Sequence, residues 1–407
     1  MIAVLWVVTG ILALAVSRWF ALMAAILAAA TWRRFVPRAP AAGSAGSTRF
    51  LIVIPAHDEA PVVGITVRSC LAVDYDPTRF QVVVIADNCA DDTASVAEAA
   101  GAQVVVRTDP ARKSKGFALQ DFFAAVPANP SARPHDAYVL VDADTSVAPD
   151  LLRAFDQSIR RGDDFIQGYY TVRNAAASWR TRLLTYAFSL ANGVWLAGLD
   201  PLGLSVGLKG NGMCFRAAAL RRFPWRAHGL VEDMEFAWHL RIGGERVRFQ
   251  PAARVFGEMV SRGGSGAASQ RQRWESGRRG LVARFRQELR DSPHLSRVKK
   301  LVYQCELAYP PLGRLGISLS VVSALAIVGL FAGGRRPEWW GIVGLLTLDW
   351  SIFAGYALSP ILIVQLPFQS LLSLFYLPYY VLWKSSLRLL KPPGQWVRTP
   401  RESAPPR

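Results

Sequence analysis

Cysteine is scarce in this sequence, which has four cysteines in 407 residues and no two of them close together. Small disulfide-stapled domains, and zinc or redox sites built on closely spaced cysteine pairs, both need more than this. Those classes are therefore excluded. The isolated Cys70, Cys89, Cys214 and Cys305 are typical of a protein in a reducing cytoplasm.

Acidic residues are also few, at 30 against 47 lysines and arginines, which gives a formal net charge of +17. Such an excess can serve nucleic acid, an anionic membrane surface or an anionic substrate. The sequence contains no nucleic-acid-binding module and no aromatic-basic platform, so nucleic acid is not expected as a partner. Residues 271–300 hold ten basic and three acidic residues beside an apolar stretch. This position favours contact with anionic membrane lipids.

Two long stretches, Ile2–Trp32 and Leu312–Trp383, almost lack charge. Three arginines follow the first stretch and no basic residue precedes it. This pattern indicates a retained membrane anchor over residues 1–32, rather than a cleaved signal peptide, with the next domain in the cytoplasm. The anchor forms either one long span or a span followed by an interfacial turn after Ser17-Arg18. Residues 33–49 are expected to be a linker.

The C-terminal residues 312–384 predict membrane spans near Leu312–Phe331 and Trp339–Leu358. Polar residues and a proline interrupt a third apolar stretch, Pro360–Trp383. Three full crossings here would place the basic tail, residues 385–407, outside, against the positive-inside rule. We therefore expect the third stretch to be re-entrant or interfacial. The predicted location is a bacterial-type inner (plasma) membrane.

Residues 50–260 have the pattern of an α/β domain, in which β-branched runs alternate with helix-compatible stretches. The predicted strands are Phe50–Pro55, Gln81–Ala86 and Ala137–Val141, and the predicted helices lie near Val62–Leu71, Thr93–Ala100 and Lys115–Ala125. This alternation predicts a parallel sheet with helices on both faces. Ligands in such sheets bind at the carboxyl ends of the strands, where several acidic residues fall. A later apolar region, Trp179–Leu208, is broken by glycines and predicts a site-covering or interfacial element.

Two aspartates, Asp142 and Asp144, directly follow the third predicted strand. Carboxylates at positions i and i+2 on a chain leaving a strand can both turn towards one hard cation, which would neutralise a diphosphate. An isolated Asp-x-Asp is more often a solvated turn or a helix cap. Asp87, at the end of the second strand, can accept hydrogen bonds from a nucleobase edge.

Three later segments also carry candidate groups. Arg112–Gly116 predicts a flexible basic turn that approaches a diphosphate before a helix begins at Phe117, although its spacing is not that of a Walker loop. Glu232-Asp233 precedes a helical stretch, and a carboxylate there is either a cap or a general base. Residues 261–311 predict basic interfacial helices, in which Arg273 can bind phosphate and Trp274 can stack on a sugar or pack at the bilayer surface.

These segments occur in one order, and the chain thereby resembles the family 2 glycosyltransferases. The resemblance is strongest to membrane-bound members such as cellulose, chitin and hyaluronan synthases and ceramide glucosyltransferase-like enzymes, and it runs from about Phe50 to Trp274. The matching motifs are Ile54-Pro55-Ala56-His57-Asp58-Glu59, Asp87 with Asp91 and Thr93, Lys115-Gly116-Phe117-Ala118-Leu119, Asp142-Ala143-Asp144, Gly210-Asn211-Gly212 with Arg216, Glu232-Asp233, and Gln270-x-x-Arg273-Trp274.

The resemblance implies a GT-A fold with a mixed, mainly parallel sheet that binds a nucleotide sugar, here a UDP-sugar. It implies Asp233 as the catalytic base, and Asp144 with Asp142 as ligands of Mg²⁺ or Mn²⁺. The donor contacts that it implies are Pro55, Glu59, Asp87, Lys115, Asp142, Asp144 and Arg273, and the implied acceptor contacts are Gln270, Trp274, Gly212 and Glu232.

The expected activity is that of an inverting, metal-dependent hexosyltransferase acting on a lipid or membrane-associated glycan acceptor at the cytoplasmic face. A processive polysaccharide synthase is the alternative, because Gln-x-x-Arg-Trp is shared by polymerising and lipid-modifying members. The shortage of predicted spans for a translocation channel favours the lipid acceptor. A non-catalytic membrane scaffold is disfavoured because Asp142, Asp144 and Asp233 are all present.

Overall fold

The computed structural model describes residues 2–36, 38–39, 46–125, 134–261, 265–333 and 337–386. The strands are β1 (Phe50–Ala56), β2 (Phe80–Asp87), β3 (Gln103–Arg107), β4 (Ala137–Leu140), β5 (Thr145–Val147), β6 (Phe165–Val172), β7 (Met213–Arg216) and β8 (Val247–Gly257). The helices of the α/β domain are α2 (Ala60–Leu71), α3 (Thr93–Ala99), α4 (Lys115–Ala125), α5 (Leu151–Arg160), α6 (Trp179–Phe188), α7 (Trp195–Leu199), α8 (Ala217–Arg222) and α9 (Glu232–Ile242). The flanking helices are α1 (Ile2–Phe35), α10 (Ser265–Asp291), α11 (Arg297–Ala308), α12 (Leu312–Ala332), α13 (Pro337–Ile363) and α14 (Leu377–Ser386).

One sheet contains all eight strands, in the order β3-β2-β1-β4-β7-β6-β8-β5. The first four are mutually parallel, because β1 pairs in parallel with β2 and β4, and β2 with β3. Their β-branched and aliphatic side chains bury both faces of β1 and β2, as expected for a sheet covered on two sides. The mixed, mainly parallel sheet is thus confirmed, and β3 is an addition to the predicted strands.

The second half of the sheet changes direction at β7, which pairs antiparallel with both β4 and β6. β6 then pairs in parallel with β8, and β5 closes the edge against β8. The reversal brings the loop before β7 to the carboxyl end of β4, because Met213 pairs with Leu140. The end of β4 and the loop 209–212 therefore share one edge of the sheet.

The apolar region after β6 forms α6, a π-helical turn over Ser189–Val194, and α7. It lies between the sheet domain and α1, and most of α7 is buried. At Gly198 a Cβ atom would stand 2.2 Å from the carbonyl oxygen of Ile26, so only glycine permits this approach of α7 to the backbone of α1. The region is an interface between the domain and the anchor, which agrees with its prediction as an interfacial rather than a crossing element.

Three of the described helices, α1, α12 and α13, are long and apolar enough to cross a membrane. They pack on one another and still expose large apolar side chains, such as Ile11 at 62%, Phe331 at 74% and Leu348 at 56%. Exposed apolar surface of this extent indicates a lipid-facing surface. α1 is continuous through Ser17, whose hydroxyl donates a hydrogen bond to Asp349 Oδ2 at 2.6 Å. The alternative of a turn after Ser17-Arg18 is therefore wrong.

The third C-terminal apolar stretch is divided by the structure. α13 continues through Pro360 to Ile363, and the hydroxyl of Ser359 donates to the Tyr356 carbonyl, which the proline cannot use. A 3₁₀ segment, Phe368–Tyr376, and α14 then follow. Neither is long enough to cross a bilayer. The boundary expected at Pro360 is wrong by one helical turn, and an interfacial placement of the following residues stays a prediction.

Candidate active site

The loop after β4 places Asp142 and Asp144 at the carboxyl edge of the sheet. The backbone N–H of Asp142 donates to Asn211 Oδ1 at 3.2 Å, and Asn211 Nδ2 donates to the Thr145 hydroxyl at 2.7 Å. Asn211 is fully buried and thus ties the Asp-x-Asp turn to the loop before β7. The Asp-x-Asp turn is therefore held by a buried amide, and both aspartates remain partly accessible.

Lys115 links this turn to the other catalytic candidates. Its Nζ lies 2.5 Å from Asp142 Oδ1, 2.7 Å from the carbonyl oxygen of Gly210 and 3.6 Å from Glu232 Oε1. Burial lowers the pKa of Lys115, but Asp142 and Glu232 outweigh it and leave the pKa raised, so the side chain is a fixed cation. The helix starts at Lys115 rather than at Phe117 as predicted. Lys115 therefore belongs to the first turn of α4 and not to a flexible loop.

Glu232 and Asp233 occupy the first turn of α9, as the prediction of a carboxylate at a helix start requires. Asp233 lies against Gly210, where a Cβ would come within 3.3 Å of its Oδ2 and where φ is +77°. Burial and the adjacent Glu232 carboxylate raise the pKa of Asp233 to about 7, although Lys115 opposes this rise. A carboxylate with a pKa near 7 can accept a proton efficiently at neutral pH.

The same neighbourhood suits a divalent cation. Burial raises the pKa of Asp142, Lys115 opposes that rise, and the charge of Asp144 adds to it. Carboxylate oxygens carrying more negative charge than one lysine balances are the donor set that Mg²⁺ and Mn²⁺ prefer. Asp142 and Asp144 therefore fit the metal-binding role. Within the described residues a second group, Asp58, Cys89 and Asp91, brings its donor atoms within 4.8 Å of one another.

That second group is explained by the turns that hold it. Asp58 Oδ1 accepts the backbone N–H of Ala90 at 2.7 Å, and Asp91 Oδ1 accepts the backbone N–H of Thr93 at 3.0 Å. Burial raises the pKa of the Cys89 thiol, so it stays protonated and is a poor ligand for a hard cation. We assign no metal to this group.

The ends of β2 and β3 form a separate, charged part of the edge. Arg107 lies beside Asp87 in the sheet register and donates to Asp87 Oδ1 at 2.6 Å. It also pairs with Asp109 at 3.2 Å and Asp121 at 2.9 Å, and Arg112 bridges the same two aspartates at 2.8 and 2.9 Å. Burial raises the pKa of Asp87 and Arg107 only partly offsets it. The structure therefore ties Arg112 down, against the prediction of a flexible basic turn.

Pro55 and Glu59 lie at the end of β1 and at the start of α2, next to this charged part. Glu59 is 8% exposed, and its backbone N–H donates to the Thr93 hydroxyl at 2.8 Å while its carbonyl receives the N–H groups of Val62 and Val63. Its backbone therefore has a structural role at the beginning of α2. A donor contact by either residue stays a prediction.

The predicted acceptor residues divide into two groups. Glu232 lies in the site, whereas Gly212 is buried, with φ at +63° and Val255 Cγ2 only 2.6 Å from where a Cβ would be. Gly212 therefore shapes the loop, and an acceptor contact by it stays a prediction. The side chains of Gln270, Arg273 and Trp274 lie outside the described residues. Farther along their helix, Gly277 contacts Val231, so α10 passes directly beside the start of α9.

Two comparisons place this geometry among known proteins. A family profile described as "Glycosyltransferase like family 2" matches residues 48–277, more than half of the chain. The chain belongs to glycosyltransferase family 2. The glycosyltransferase is also 24% identical over 250 residues to the probable glycosyltransferase YdaM of Bacillus subtilis (strain 168), a match that covers 58% of this chain and 56% of that relative. The match thus spans little more than half the length of the curated relative.

A solved structure supports the fold of this glycosyltransferase. The mannosyltransferase PcManGT from Pyrobaculum calidifontis, in complex with GDP-Man and Mn²⁺, is similar with a TM-score of 0.50 and 16% identity. The similarity covers 85% of this chain and 99% of PcManGT. The predicted family and the GT-A-like fold are therefore confirmed.

Proposed function

We propose that this glycosyltransferase is an inverting, metal-dependent enzyme that moves a sugar from a UDP-sugar to a lipid or membrane-associated glycan acceptor. The observation that carries the proposal is the arrangement of Asp233, whose pKa of about 7 suits a base, within a carboxylate cluster joined by Lys115 to Asp142. One base and one stabilised leaving group are sufficient for a direct displacement.

Asp233 accepts the proton of the acceptor hydroxyl as its oxygen attacks the anomeric carbon. The bond between that carbon and the donor diphosphate breaks at the same time, and the electron pair leaves with the diphosphate. Lys115, fixed by Asp142 and the Gly210 carbonyl, contributes positive charge near the leaving group. Attack opposite the leaving group inverts the anomeric configuration.

Asp142 and Asp144 would hold Mg²⁺ or Mn²⁺. When bound, the cation neutralises the charge that develops on the diphosphate. The Mn²⁺ in the PcManGT complex supports this proposal for a chain of the same fold. Arg273 is proposed as a further diphosphate contact and Trp274, with Gln270, as an acceptor contact. The passage of α10 beside Val231 supports their proximity to Asp233.

The nucleotide is proposed to bind at the ends of β1 to β3, where Asp87 and Arg107 meet. The resemblance favours uridine, whereas PcManGT was solved with a guanosine donor, so both nucleotides belong in the test. The catalytic domain is proposed to face the cytoplasm, since the arginines that follow the apolar part of α1 lie on the domain side.

The decisive experiment measures nucleoside diphosphate release by purified protein in detergent with membrane lipid extract, Mg²⁺ or Mn²⁺, and panels of UDP- and GDP-sugars. Asp233→Asn is compared with Asp74→Asn, a matched change at an exposed aspartate. We expect turnover with one donor that requires metal and Asp233 but not Asp74. Full turnover by folded Asp233→Asn would overturn the assignment of the base, and GDP-sugar use would correct the nucleotide.

Product size separates the two acceptor readings. We propose single transfer, because the described residues offer three helices that could cross a membrane. A labelled product that runs as one lipid-soluble species would support it, and a ladder or high polymer would establish the processive alternative instead. Loss of product in both Asp233→Asn and Asp144→Asn would exclude the scaffold reading.

A further inference from the structure

A cavity of about 660 Å³ lies between the catalytic domain and the C-terminal helices. Its size falls within the range of about 300–1,000 Å³ that is typical of ligand sites. It does not include Lys115, Asp142 or Asp144, so it is distinct from the proposed donor site. The cavity therefore needs an occupant other than the nucleotide sugar.

The cavity has one apolar part, whose walls come from α6, α12, α13 and the segment after α13. Its lining there includes Leu183, Ala187, Ile317, Phe353, Leu374 and Val381. Two of these walls, α12 and α13, are helices long and apolar enough to cross a membrane. A hydrocarbon chain could thus occupy this part without leaving the depth of the bilayer.

The opposite end of the cavity is polar and carries a net positive charge. Lys209, Arg241 and Arg278 line it together with a single acid, Glu306. Arg241 donates to Glu306 Oε1 at 3.1 Å and to the Ser205 carbonyl at 2.8 Å, and Arg278 donates to the Tyr309 carbonyl. Two positive charges remain in excess at this end, which favours an anionic group.

Several buried polar atoms at this end have no hydrogen-bond partner among the described residues. They are Arg241 Nε, Glu306 Oε2 and the Tyr309 hydroxyl. Buried polar atoms are normally paired, so this combination of donor and acceptor atoms suits a head group that can both accept and donate. A phosphate accepts hydrogen bonds, and a hydroxyl does both.

The polar end is continuous with the catalytic carboxylate. Lys209 lines the cavity and immediately precedes Gly210, which contacts Asp233. Met234, the residue after Asp233, also lines the cavity. The charge of Lys209 acts on both Asp233 and Glu306. A head group bound at Lys209 would therefore lie next to the proposed base.

We propose that this cavity binds the acceptor, and that the acceptor is an anionic glycerophospholipid whose head group carries a free hydroxyl. Its acyl chains occupy the apolar part, its phosphate lies against Lys209 and Arg278, and its hydroxyl reaches Asp233. This inference rests on the proposed glycosyltransferase function and names its acceptor class.

The test uses full-length, delipidated protein and three lipids that separate the required features. Phosphatidylglycerol has the anion and the hydroxyl, phosphatidylcholine has a phosphate but neither net charge nor hydroxyl, and diacylglycerol has only the hydroxyl. Binding is measured by native mass spectrometry, and transfer by labelled sugar in the lipid product. We expect phosphatidylglycerol to bind about tenfold or more tightly than the others, since charge-assisted hydrogen bonds are the stronger ones. It should also be the preferred acceptor.

Two variants probe the two parts of the cavity. Lys209→Gln should raise the KM for phosphatidylglycerol about tenfold and leave the KM for the donor unchanged. The control Lys299→Gln removes the same charge at an exposed position outside the cavity. Ala187→Trp narrows the apolar part at an exposed residue, and Ala218→Trp is its matched control on α8. Nucleotide-sugar hydrolysis in the absence of lipid shows that each variant is folded.

The outcomes are separable. Equal binding of phosphatidylcholine would make the occupant a non-specific membrane lipid, equal use of diacylglycerol would remove the anionic requirement, and competition by glycerol phosphate alone would remove the acyl chains; each overturns the proposal. Asp233→Asn should bind phosphatidylglycerol normally yet fail to modify it. If that variant transfers sugar at the wild-type rate, the proposed function fails whatever the lipid binding shows.

Discussion

The two parts of the sheet edge balance their charges differently. At the ends of β2 and β3, Arg107 and Arg112 are interleaved with three aspartates in short ion pairs. Between β4 and α9, by contrast, Lys115 is the ion-pair partner of Asp142 and Glu232, with Asp144 and Asp233 close enough to perturb the site. We call these the nucleotide part and the reaction part.

The difference shows which part is complete before its ligand arrives. In the nucleotide part, burial raises the pKa of Asp109, but the hydrogen bonds and charges of Arg112 and Arg107 leave it lowered, as in a satisfied ion-pair network. In the reaction part, the pKa values of Asp142 and Asp233 are raised. Perturbed carboxylates of this kind are typical of sites that work on a ligand rather than stabilise the fold.

The largest test of this comparison is removal of the base. Asp233→Asn should lower kcat by about 10²–10⁴-fold, the usual contribution of a general base. The melting temperature should stay the same or rise, because the change removes a carboxylate that is raised in pKa by burial. Asp121→Asn, in the nucleotide part, should do the reverse and lower the melting temperature with little change in kcat. Equal effects of the two variants on kcat would erase the distinction between the parts.

Removal of the cation should have the next largest effect. Chelation is expected to bring activity to background, and Mg²⁺ or Mn²⁺ should restore it. The cation should also raise the melting temperature of the wild type, since a ligand that binds only the folded state stabilises it. Asp144→Asn should lose most of this thermal shift, whereas Asp91→Asn, in the group without an assigned metal, should keep it. An unchanged shift in Asp144→Asn would place the metal elsewhere.

Disruption of the nucleotide part should be felt in donor binding and stability. Arg107→Met leaves Asp87 without its guanidinium partner, and breaking a buried ion pair costs about 3–5 kcal/mol. We expect a lower melting temperature and a KM for the donor raised about tenfold, with kcat changed far less. Isothermal titration with the nucleoside diphosphate reads the binding directly. A selective loss of kcat would show that the two parts are not separate.

The pH dependence is the mildest test. Asp233 must be deprotonated to act, so with a pKa of about 7 in the free enzyme, kcat/KM should fall about tenfold for each pH unit well below 7 and level off above it. The KM for the donor should stay flat over this range, because the aspartates of the nucleotide part are already ionised in their pairs. A profile without an inflection near neutrality would remove Asp233 from the base role.

Sequence reasoning reached the central strands and the reaction part because both have strong local signals. β1, β2 and β4 are buried β-branched runs, and Asp142 and Asp233 follow or begin regular elements. It missed β3, a short strand with two exposed valines, Val105 and Val106, and therefore missed Arg107, which only the register of β2 with β3 brings to Asp87.

The cavity was equally beyond local patterns. Lys209 and Glu306 are distant in the sequence, and only the packing of α6, α9, α11 and the C-terminal helices brings them to one end of a cavity. The start of α4 was placed two residues late because Gly116 suggested a turn. Lys115 nevertheless appears in the expected site, since its motif marked the residue even though the local structure was misjudged.

The close contact at Gly198 has a practical consequence for anyone who wants a soluble version of this enzyme. α1 shares an interface with α7 that leaves no room even for a methyl group, and Leu196 and Leu199 are fully covered there. Cutting the chain after the anchor would uncover a greasy patch on the catalytic body. Truncated preparations should therefore precipitate or stay bound to detergent, and expression designs should retain the first helix from the outset.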